Sequence, residues 1–448
     1  MNGVHWMRGG IVLGLVAALA LPAAASAETR TVTMRFGPVK LGGYETGTGI
    51  DRTRAPRLNG YITSMYAYLE DAAGNPIPQQ RVMLHHVLFT NRSRGGIGDC
   101  RKASSEAFYG TGEEDQRIEM PPGYGYRVKR KDRWRVGWMF MNHRHTNDRV
   151  YLKYTVTISD EPLTPVRPYW ISVSCAQGKI YSVPGGGAPD STYARSRTWT
   201  VPKSGRIVAA AAHAHGGAIR ISASSRCGEL MASTGRYGME DDPIYNFSPV
   251  LHEPAPRSMS VITSEQGWPV KKGDRLKVTS TYGNSHPHSA VMGIMHLYIA
   301  PGGGRSTRCP AAPTDVQQHR LPFVGFPGRE RPPDVSPQLS ALDDNGVAQP
   351  ITGPLSGPLS RTSGDATVMI RNVAFTPRRL SVPRGATVRW RFRDPIQHDV
   401  TLASGPRAFA SAYYKGPARY RKKLTTPGEY RIFCSLHPVT MAQTIEVR

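Results

Sequence analysis

The stretch Tyr430-Arg-Ile-Phe-Cys434-Ser-Leu-His437-Pro-Val-Thr-Met441 decides the fold of the C-terminal part of this chain. It brings a thiolate, an imidazole and a thioether together within eight residues, where one predicted strand ends and the next begins. Two His, one Cys and a weak axial Met are the ligands of a blue-copper site. The second His must come from elsewhere, and His398, at the end of an earlier predicted strand, is the candidate. The sequence therefore predicts a type 1 copper bound by His398, Cys434, His437 and Met441.

The residues around this stretch resemble a known family. Asn372-Val-Ala-Phe375-Thr-Pro377 and the residues up to Gly385 are similar to the opening strands of the cupredoxins, the plastocyanin, amicyanin and pseudoazurin group. The resemblance covers about the last 85 residues and implies a Greek-key cupredoxin β-sandwich. Asp399 follows the first His where Asn is common in the family, so the hydrogen bonds of this loop are left open. The alternative is a cupredoxin fold that has lost its metal, which the presence of all four ligands disfavours.

The first 27 residues have the features of an export signal. Arg8 supplies a positive charge, Ile11 to Leu21 form an apolar run, and Ala25-Ser-Ala27 provides a small-residue cleavage site. The apolar run is too short to span a bilayer comfortably, and no second long run follows, so we expect no transmembrane segment in the mature chain. The sequence predicts a periplasmic or secreted protein.

The charge of the chain indicates what kind of partner it attracts. The formal net charge is +24, and residues 364–448 alone contain 15 Lys and Arg against 5 Asp and Glu. A basic surface steers association with acidic partners. We therefore expect an acidic redox partner protein or an anionic envelope component, and no nucleic acid. The alternative is a solvated Arg-rich surface that reflects base composition.

Five cysteines are present, of which Cys434 is assigned to copper. The even number that remains, in an oxidising compartment, predicts two disulfides. Four cysteines allow three pairings, and the sequence does not decide among them. If the bridges stay within domains, the pairs are Cys100–Cys175 and Cys227–Cys309.

The rest of the chain is predicted to be mostly β. Apolar and polar residues alternate over residues 30–36, 149–158 and 275–282, and 46 Gly and 37 Pro separate such runs at short intervals. We predict an all-β protein with two antiparallel, jelly-roll-like β-sandwich domains followed by the cupredoxin sandwich. In chain order, the predicted parts are a signal peptide (1–27), a first β-sandwich (28–185), a second β-sandwich (190–312), a Pro/Gly/Ser-rich linker (313–363) and the cupredoxin domain (364–448).

Most of the 14 histidines occur in closely spaced pairs beside apolar strand residues. On a strand, residues i and i+2 project from the same face about 6.5–7 Å apart, so His213 and His215 can bind one metal. The same holds for His143 and His145, and for His288, Met292 and His296 if their strand is regular. The pair His85 and His86 would point to opposite faces of a flat strand and could bind one metal only with a bulge or twist. A structural or surface role is the alternative for any single pair.

Residues 30–302 resemble the stress-upregulated nodulin (SURNod) family and its bacterial relatives. The matching segments are His85-His86-Val-Leu-Phe89, Pro122-Gly-Tyr-Gly-Tyr126, Ala212-His213-Ala-His215-Gly-Gly217 and His288-Ser-Ala-Val-Met292-Gly293. This resemblance supplies no biochemical activity.

A more distant resemblance is to the two-copper monooxygenases, peptidylglycine α-hydroxylating and dopamine β-monooxygenase. It implies two coppers in separate sandwich domains. The electron-accepting copper would be bound by His85, His86 and His143, with His145 as a rival for His143. The oxygen-activating copper would be bound by His213, His215 and Met292, with Met295 as a rival for Met292. The substrate-binding residues of those enzymes cannot be placed on this chain.

The sequence thus predicts an exported copper-binding redox protein in which a type 1 copper electron-transfer domain is fused to a His-rich, monooxygenase-like module. Whether this module is an enzyme is left open. The alternatives are a non-enzymatic electron carrier whose front half docks on a partner, and a copper-buffering protein. One copper per chain favours the carrier, three favour the oxygenase, and many weak, exchangeable sites favour buffering. The substrate, the catalytic residues, the redox potential and the oligomeric state are not determined.

Overall fold

The computed structural model describes residues 1, 28–96, 99–100, 103–302, 309–320 and 328–448. Apart from Met1, the export signal predicted for the first 27 residues lies outside the described residues. Within the described ranges, no helix is long and apolar enough to cross a membrane. Regular structure in these ranges consists of strands and one short 3-10 turn, Gln177–Lys179, which confirms the all-β prediction.

The first β-sandwich consists of a six-stranded and a four-stranded sheet. Its strands are β1 (Thr29–Leu41), β2 (Thr46–Thr53), β3 (Gly60–Glu70), β4 (Val82–Asn91), β5 (Glu106–Gly112), β6 (Ile118–Glu119), β7 (Tyr124–Val128), β8 (Trp134–Asn142), β9 (Asp148–Ser159) and β10 (Thr164–Pro165). The larger sheet has the order β1-β9-β3-β7-β10 with β6 beside β3, and the smaller has the order β2-β8-β4-β5. Alternate residues of β9, from Val150 to Val156, are fully buried, so one face of each sheet lines the core.

The second β-sandwich begins before the predicted domain boundary at residue 185. Its strands are β11 (Arg167–Ser172), β12 (Tyr181–Val183), β13 (Thr192–Thr200), β14 (Gly205–Ala214), β15 (Ala218–Ser225), β16 (Gly228–Arg236), β17 (Ser258–Met259), β18 (Val261–Val270), β19 (Arg275–Gly283), β20 (His288–Val291), β21 (Gly293–Pro301) and β22 (Gln317–His319). The two main sheets have the orders β11-β21-β14-β18-β22 and β13-β19-β15-β16-β17. A smaller sheet pairs β12 with β20. Strand β22, from the predicted linker, extends the first of the main sheets.

The C-terminal sandwich has mixed sheets. The strands from residue 340 onward are β23 (Ser340–Leu342), β24 (Ala348–Pro350), β25 (Leu359–Arg361), β26 (Ala366–Ile370), β27 (Phe375–Thr376), β28 (Arg379–Val382), β29 (Thr387–Phe392), β30 (Thr401–Ser404), β31 (Ala418–Lys423), β32 (Gly428–Phe433) and β33 (Ala442–Val447). The sheets have the orders β25-β28-β33-β32-β30 and β27-β26-β29-β31. Strand β26 pairs with β29, and β28 with β33, in parallel. Trp390 is fully buried between the sheets.

Two disulfides connect the front half of the chain. Cys100 is bonded to Cys175 and Cys227 to Cys309, each pair with a Cα–Cα distance of 5.4 Å. This is the pairing in which each bridge stays within one predicted domain. Cys434 is the one free cysteine of the five, and it is buried.

The two front sandwiches pack directly on each other. Val208, Ala209 and Ala211 of β14 belong to the same buried apolar cluster as Val87 and Phe89 of β4. The small side chains of this Ala-rich strand allow the sheets to approach closely. Hydrogen bonds also cross the contact, among them one from the hydroxyl of Tyr298 to the carbonyl of Phe108 at 2.9 Å. The histidine pairs of β4 and β14 are therefore brought to one interface.

The cupredoxin sandwich packs on the front half through the loop that follows Cys434. Val439 of this loop forms a buried cluster with Tyr44, Leu251 and Ala348. The hydroxyl of Thr46 donates a hydrogen bond to the carbonyl of Ser435 at 3.1 Å. Both contacts hold the predicted copper-ligand loop against the front sandwiches.

Candidate metal centres

The predicted type 1 ligands converge at one end of the cupredoxin sandwich. The Sγ of Cys434 lies 3.8 Å from Nδ1 of His398 and 3.5 Å from Nδ1 of His437. The backbone N–H of Cys434 donates to the carbonyl of Met441 at 3.1 Å, and that of Met441 donates to His437 at 3.1 Å. Because the loop turns back on itself in this way, it returns the buried Met441 to the region of the other three side chains.

A carboxylate orients the first histidine of this site. Nε2 of His398 lies 2.9 Å from Oδ2 of Asp394. The carboxylate of Asp394 also accepts hydrogen bonds from the backbone, at Oδ1 from the N–H of Asn372 and at Oδ2 from the N–H of Val373. A proton on Nε2 leaves the lone pair of Nδ1 directed toward Cys434. A second hydrogen bond of this kind is typical of histidines that bind metals, because it sets the tautomer and the ring orientation.

Asp399 organises the loop hydrogen bonds that the sequence left open. Its Oδ1 accepts from the backbone N–H of Ser435, and its Oδ2 accepts from the hydroxyls of Ser435 and Thr401 at 2.8 and 2.7 Å. Its own N–H lies 3.4 Å from the Sγ of Cys434. Burial raises the pKa of the Cys434 thiol well above its usual value, and the Asp399 charge adds to this. Metal coordination reverses this preference, because a cation stabilises the thiolate.

The second site lies at the interface of the two front sandwiches. The pairing of β4 with β8 shifts register between Leu84 and His86, and this bulge brings the rings of His85 and His86 together, with their Nδ1 atoms 3.2 Å apart. At the end of β14, the rings of His213 and His215 have centroids 5.2 Å apart. The His85 ring lies 4.8 Å from that of His215, and the His86 ring 6.0 Å from that of His213. The structure thus groups two pairs that the sequence assigned to separate coppers.

Two sets of potential ligands overlap in this region. His85, His86 and His215 offer nitrogen atoms within 4.8 Å of one another, and so do His85, Glu113 and His252 with their nitrogen and oxygen atoms. Because His85 belongs to both sets, they form one cluster. The interface cluster is defined here as His85, His86, Glu113, His213, His215 and His252. His252 and Glu113 were not predicted from the sequence, because neither belongs to a close His pair.

Burial keeps four histidines of the interface cluster neutral, namely His85, His86, His215 and His252. It lowers the pKa of His85 and His215 well below the usual value, with a further contribution from the neighbouring histidines. For the same reason, the pKa of His86 falls to about 3 and that of His252 to about 4. Metal binding requires neutral imidazole, so these rings need not lose a proton first.

The donor atoms of the cluster fit a soft or borderline cation such as copper. Nε2 of His213 and Nε2 of His215 are buried and have no hydrogen-bond partner. Buried polar atoms in proteins nearly always have a partner, and a bound cation would supply one. Nδ1 of His213 lies 2.9 Å from Oε1 of Glu114, which orients the ring as Asp394 orients His398. Imidazole nitrogens suit copper, zinc and iron.

Tyr282 connects two parts of this site. Its buried hydroxyl accepts a hydrogen bond from the backbone N–H of His215 at 3.0 Å and donates one to the carbonyl of Met292. The end of β14 and the segment between β20 and β21 are therefore held by one side chain. Tyr282 could not be predicted from the sequence, because a hydrogen-bonding hydroxyl has no characteristic spacing from the residues it holds.

His143, the predicted third ligand beside His85 and His86, is not part of either overlapping ligand set of the interface cluster. His143 is buried, its ring lies 5.4 Å from that of Phe247, and neither ring nitrogen has a hydrogen-bond partner. Among the described residues, it falls in no group of three metal-capable side chains. Its rival His145 is exposed.

The structure distinguishes the two candidate methionines. Met292 lines a cavity with His86 and His215, whereas Met295 is buried in the core of the second sandwich. The expected regular strand is interrupted, because β20 ends before Met292 and Ala290 has a φ of 55°. As a result, His288, Met292 and His296 do not share one face. His288 contacts Glu253, and His296 stacks on Trp170 with ring centroids 3.5 Å apart.

A cavity of about 100 Å³ lies between the interface cluster and the cupredoxin sandwich. On one side, its lining includes His85, His86 and His215, and on the other, it includes Tyr413 and Ser435, the residue that follows Cys434. The hydroxyl of Tyr413 also contacts Sδ of Met139, on β8, at 3.9 Å. The interface cluster and two residues next to the type 1 ligands, Asp399 and Ser435, therefore border a common space.

The comparisons with known proteins agree with parts of this description. The family model "Stress up-regulated Nod 19" matches residues 126–302. A protein of Phoma sp. (strain ATCC 20986 / MF5453), named "Probable copper-dependent oxygenase M1", is 24% identical over 310 residues, which span 63% of this chain and 75% of that protein.

Solved structures of amicyanin variants are also similar to this chain. The match to a Cu(I) form of one variant is 26% identical and spans 18% of this chain and 82% of the amicyanin chain, with a TM-score of 0.18. The match to a reduced form of another variant is 27% identical and spans 19% of this chain and 83% of the amicyanin chain, also with a TM-score of 0.18. The family match supports the SURNod resemblance, and the fungal relative is compatible with a copper-binding protein.

Proposed function

We propose that this chain is an exported copper redox protein in which a type 1 copper domain passes single electrons to a copper centre in the interface cluster. At that centre, the protein would act as an oxygen-dependent hydroxylase. The observation that carries this proposal is the common cavity, which His85, His86 and His215 line on one side and the neighbours of Cys434 on the other. Such an arrangement would let electrons pass within one chain and would need no docking of a separate electron carrier.

We assign the type 1 copper to His398, Cys434, His437 and Met441. The donor set supports this assignment, since two imidazoles, a thiolate and a thioether are the ligands of an electron-transfer copper. The chain contributes a rigid and buried environment: His398 and Cys434 are fully buried, and Asp394 and Asp399 hold the ligands in place. A site that changes little in geometry between oxidation states exchanges electrons readily.

We assign the second copper to His85, His86 and His215, with Met292 and His213 beside it. Copper bound there would supply one-electron and oxygen chemistry. The surrounding chain excludes water, since His85 and His215 are at least nine-tenths buried. Tyr282 holds the backbone N–H of His215, and Glu114 orients the ring of His213. This proposal replaces the two separate front coppers of the sequence analysis with one cluster.

The reaction class follows from the electron supply. Hydroxylation of a C–H bond by O₂ puts one oxygen atom into the product and releases the other as water, and it consumes two electrons and two protons. A type 1 copper delivers electrons one at a time, so an external donor must reduce it twice per turnover. The basic cupredoxin domain, with 15 Lys and Arg against 5 Asp and Glu, favours an acidic redox protein as that donor.

Two further observations support the proposal. The relative from Phoma is named a probable copper-dependent oxygenase, and its similarity covers 63% of this chain. Two disulfides are typical of proteins that fold outside the cytoplasm, in agreement with a periplasmic or secreted location. The burial of the interface histidines weighs against copper buffering, which would need accessible and exchangeable sites.

The test is a metal count with paramagnetic resonance on the full chain. We expect at least two coppers per chain, one blue and one with an ordinary copper(II) spectrum. The double variant His85→Ala with His215→Ala should lose the ordinary signal and keep the blue one, whereas His145→Ala, at an exposed histidine, should keep both. After reduction, oxygen should restore the blue colour much more slowly in the double variant than in the control. A single blue copper in the wild-type chain would leave the front half as a docking module.

A further inference from the structure

A group of metal-capable side chains lies outside both sites described above. Glu253, His286 and His288 offer ligand atoms within 4.8 Å of one another. Oε1 of Glu253 lies 2.6 Å from Nδ1 of His288 and 3.8 Å from Nε2 of His286, and the two rings have centroids 4.3 Å apart. The group shares no residue with the interface cluster, although Glu253 directly follows His252. The side chains of His252 and Glu253, although adjacent in the chain, therefore belong to different sets of potential ligands.

The imidazoles of this group have nitrogen atoms without partners. His288 is fully buried, and its Nε2 has no hydrogen-bond partner. Nε2 of the half-buried His286 is also enclosed and makes no hydrogen bond. Buried polar atoms are almost always satisfied in native proteins. A cation between the rings and the carboxylate would be bound by Nε2 of His286 and by Nδ1 of His288, the two nitrogens that lie 3.8 and 2.6 Å from Oε1 of Glu253.

The backbone around His288 is built to admit its ring. Gly217 has a φ of 82°, and a Cβ at that position would lie 2.2 Å from Cε1 of His288. Any larger residue would therefore displace the ring. Asp334, in the segment that leads to the cupredoxin sandwich, places Oδ1 3.0 Å from Nδ1 of His286 and orients that ring from outside. Histidines that bind a metal through one ring nitrogen typically have the other nitrogen held by a carboxylate.

We propose that Glu253, His286 and His288 bind a divalent cation of the zinc class. Two imidazoles and one carboxylate, without sulfur, are a ligand set of zinc sites. The bound cation would join the segment that contains His252 to the segment just before Met292. In this way, it would hold in place two residues that border the front copper, without taking part in electron transfer. The proposal does not depend on the oxygenase function.

The experiment uses crystals of the full chain, loaded with copper and then soaked in Zn²⁺. Anomalous scattering measured above and below the zinc edge distinguishes zinc from copper. We expect a zinc peak between the three side chains, and in solution one zinc equivalent that raises the unfolding temperature. Glu253→Gln and His288→Gln should each lose this equivalent and keep the blue colour, while His145→Gln, at an exposed histidine, should change neither.

Several results would overturn the proposal. The absence of a zinc peak at these residues would show that they form only a hydrogen-bonded network of charges. A copper peak at the same place would contradict the choice of metal. Retention of the zinc equivalent in both variants would place it elsewhere. If His288→Gln does not fold, His286→Gln changes a half-buried ligand and gives the same readout.

Discussion

Tyr282 offers a direct test of how the front site is held together. Its hydroxyl accepts a hydrogen bond from the N–H of His215 and donates one to the carbonyl of Met292. The change Tyr282→Phe removes both bonds and leaves the size of the ring almost unchanged. Since Tyr282 is fully buried, water cannot easily replace the hydroxyl. We expect the variant to lose stability and, in addition, affinity for the front copper.

The matched control is Tyr298→Phe. Tyr298 is equally buried, but its hydroxyl makes only one protein hydrogen bond that the structure shows, to the carbonyl of Phe108. A buried backbone group left without a partner costs about 1–3 kcal/mol. The free energy of unfolding should therefore fall by about 1–3 kcal/mol in the control and by up to about twice as much in Tyr282→Phe.

The copper affinities should separate the two variants. Loss of a residue that holds a metal ligand in place lowers metal affinity by roughly 10–100-fold. We expect a decrease of this size for the front copper of Tyr282→Phe and none for Tyr298→Phe. Denaturant unfolding of the metal-free chains gives the stabilities, and titration against a copper chelator gives the affinities. Equal copper affinities in the two variants would refute the positioning role of Tyr282.

Three further predictions concern the cupredoxin sandwich and the disulfides. Asp394→Asn should weaken type 1 copper binding by roughly 10–100-fold, because it removes the carboxylate that orients a ligand histidine. Asp365→Asn, at an exposed carboxylate that also accepts a backbone N–H, should leave the affinity unchanged, and equal losses in a competition titration would contradict the assignment. Cys434→Ser should abolish the blue absorption, whereas Met441→Leu should keep the colour and shift the redox potential. A colourless copper form of the wild-type chain would contradict this prediction. The four bridged cysteines should resist thiol reagents until the protein is reduced, and two or more free thiols among them would disprove the bridges.

The predictions made from the sequence depend on local patterns. Alternation of apolar and polar residues over a single strand is sufficient to indicate β structure, because successive side chains point to opposite faces. Three of the four predicted type 1 ligands lie between Cys434 and Met441, so one tight loop can bring them together. The spacing of His213 and His215 likewise predicts that both rings leave the same face of one strand.

The grouping of the front histidines depended on contacts between distant strands. A bulge beside His85 reverses the alternation along β4 and turns both adjacent rings to one side, and the sequence does not show where a register shift occurs. Packing of β14 on the first sandwich then brings His213 to Glu114, 99 residues away, and His215 to His85. The position of the cupredoxin loop beside this cluster depends on Thr46 and on apolar contacts of Val439. Local patterns predicted which residues are candidate metal ligands, and only the packing of sheets from three sandwiches decided which of them meet, because that packing joins residues far apart in the chain.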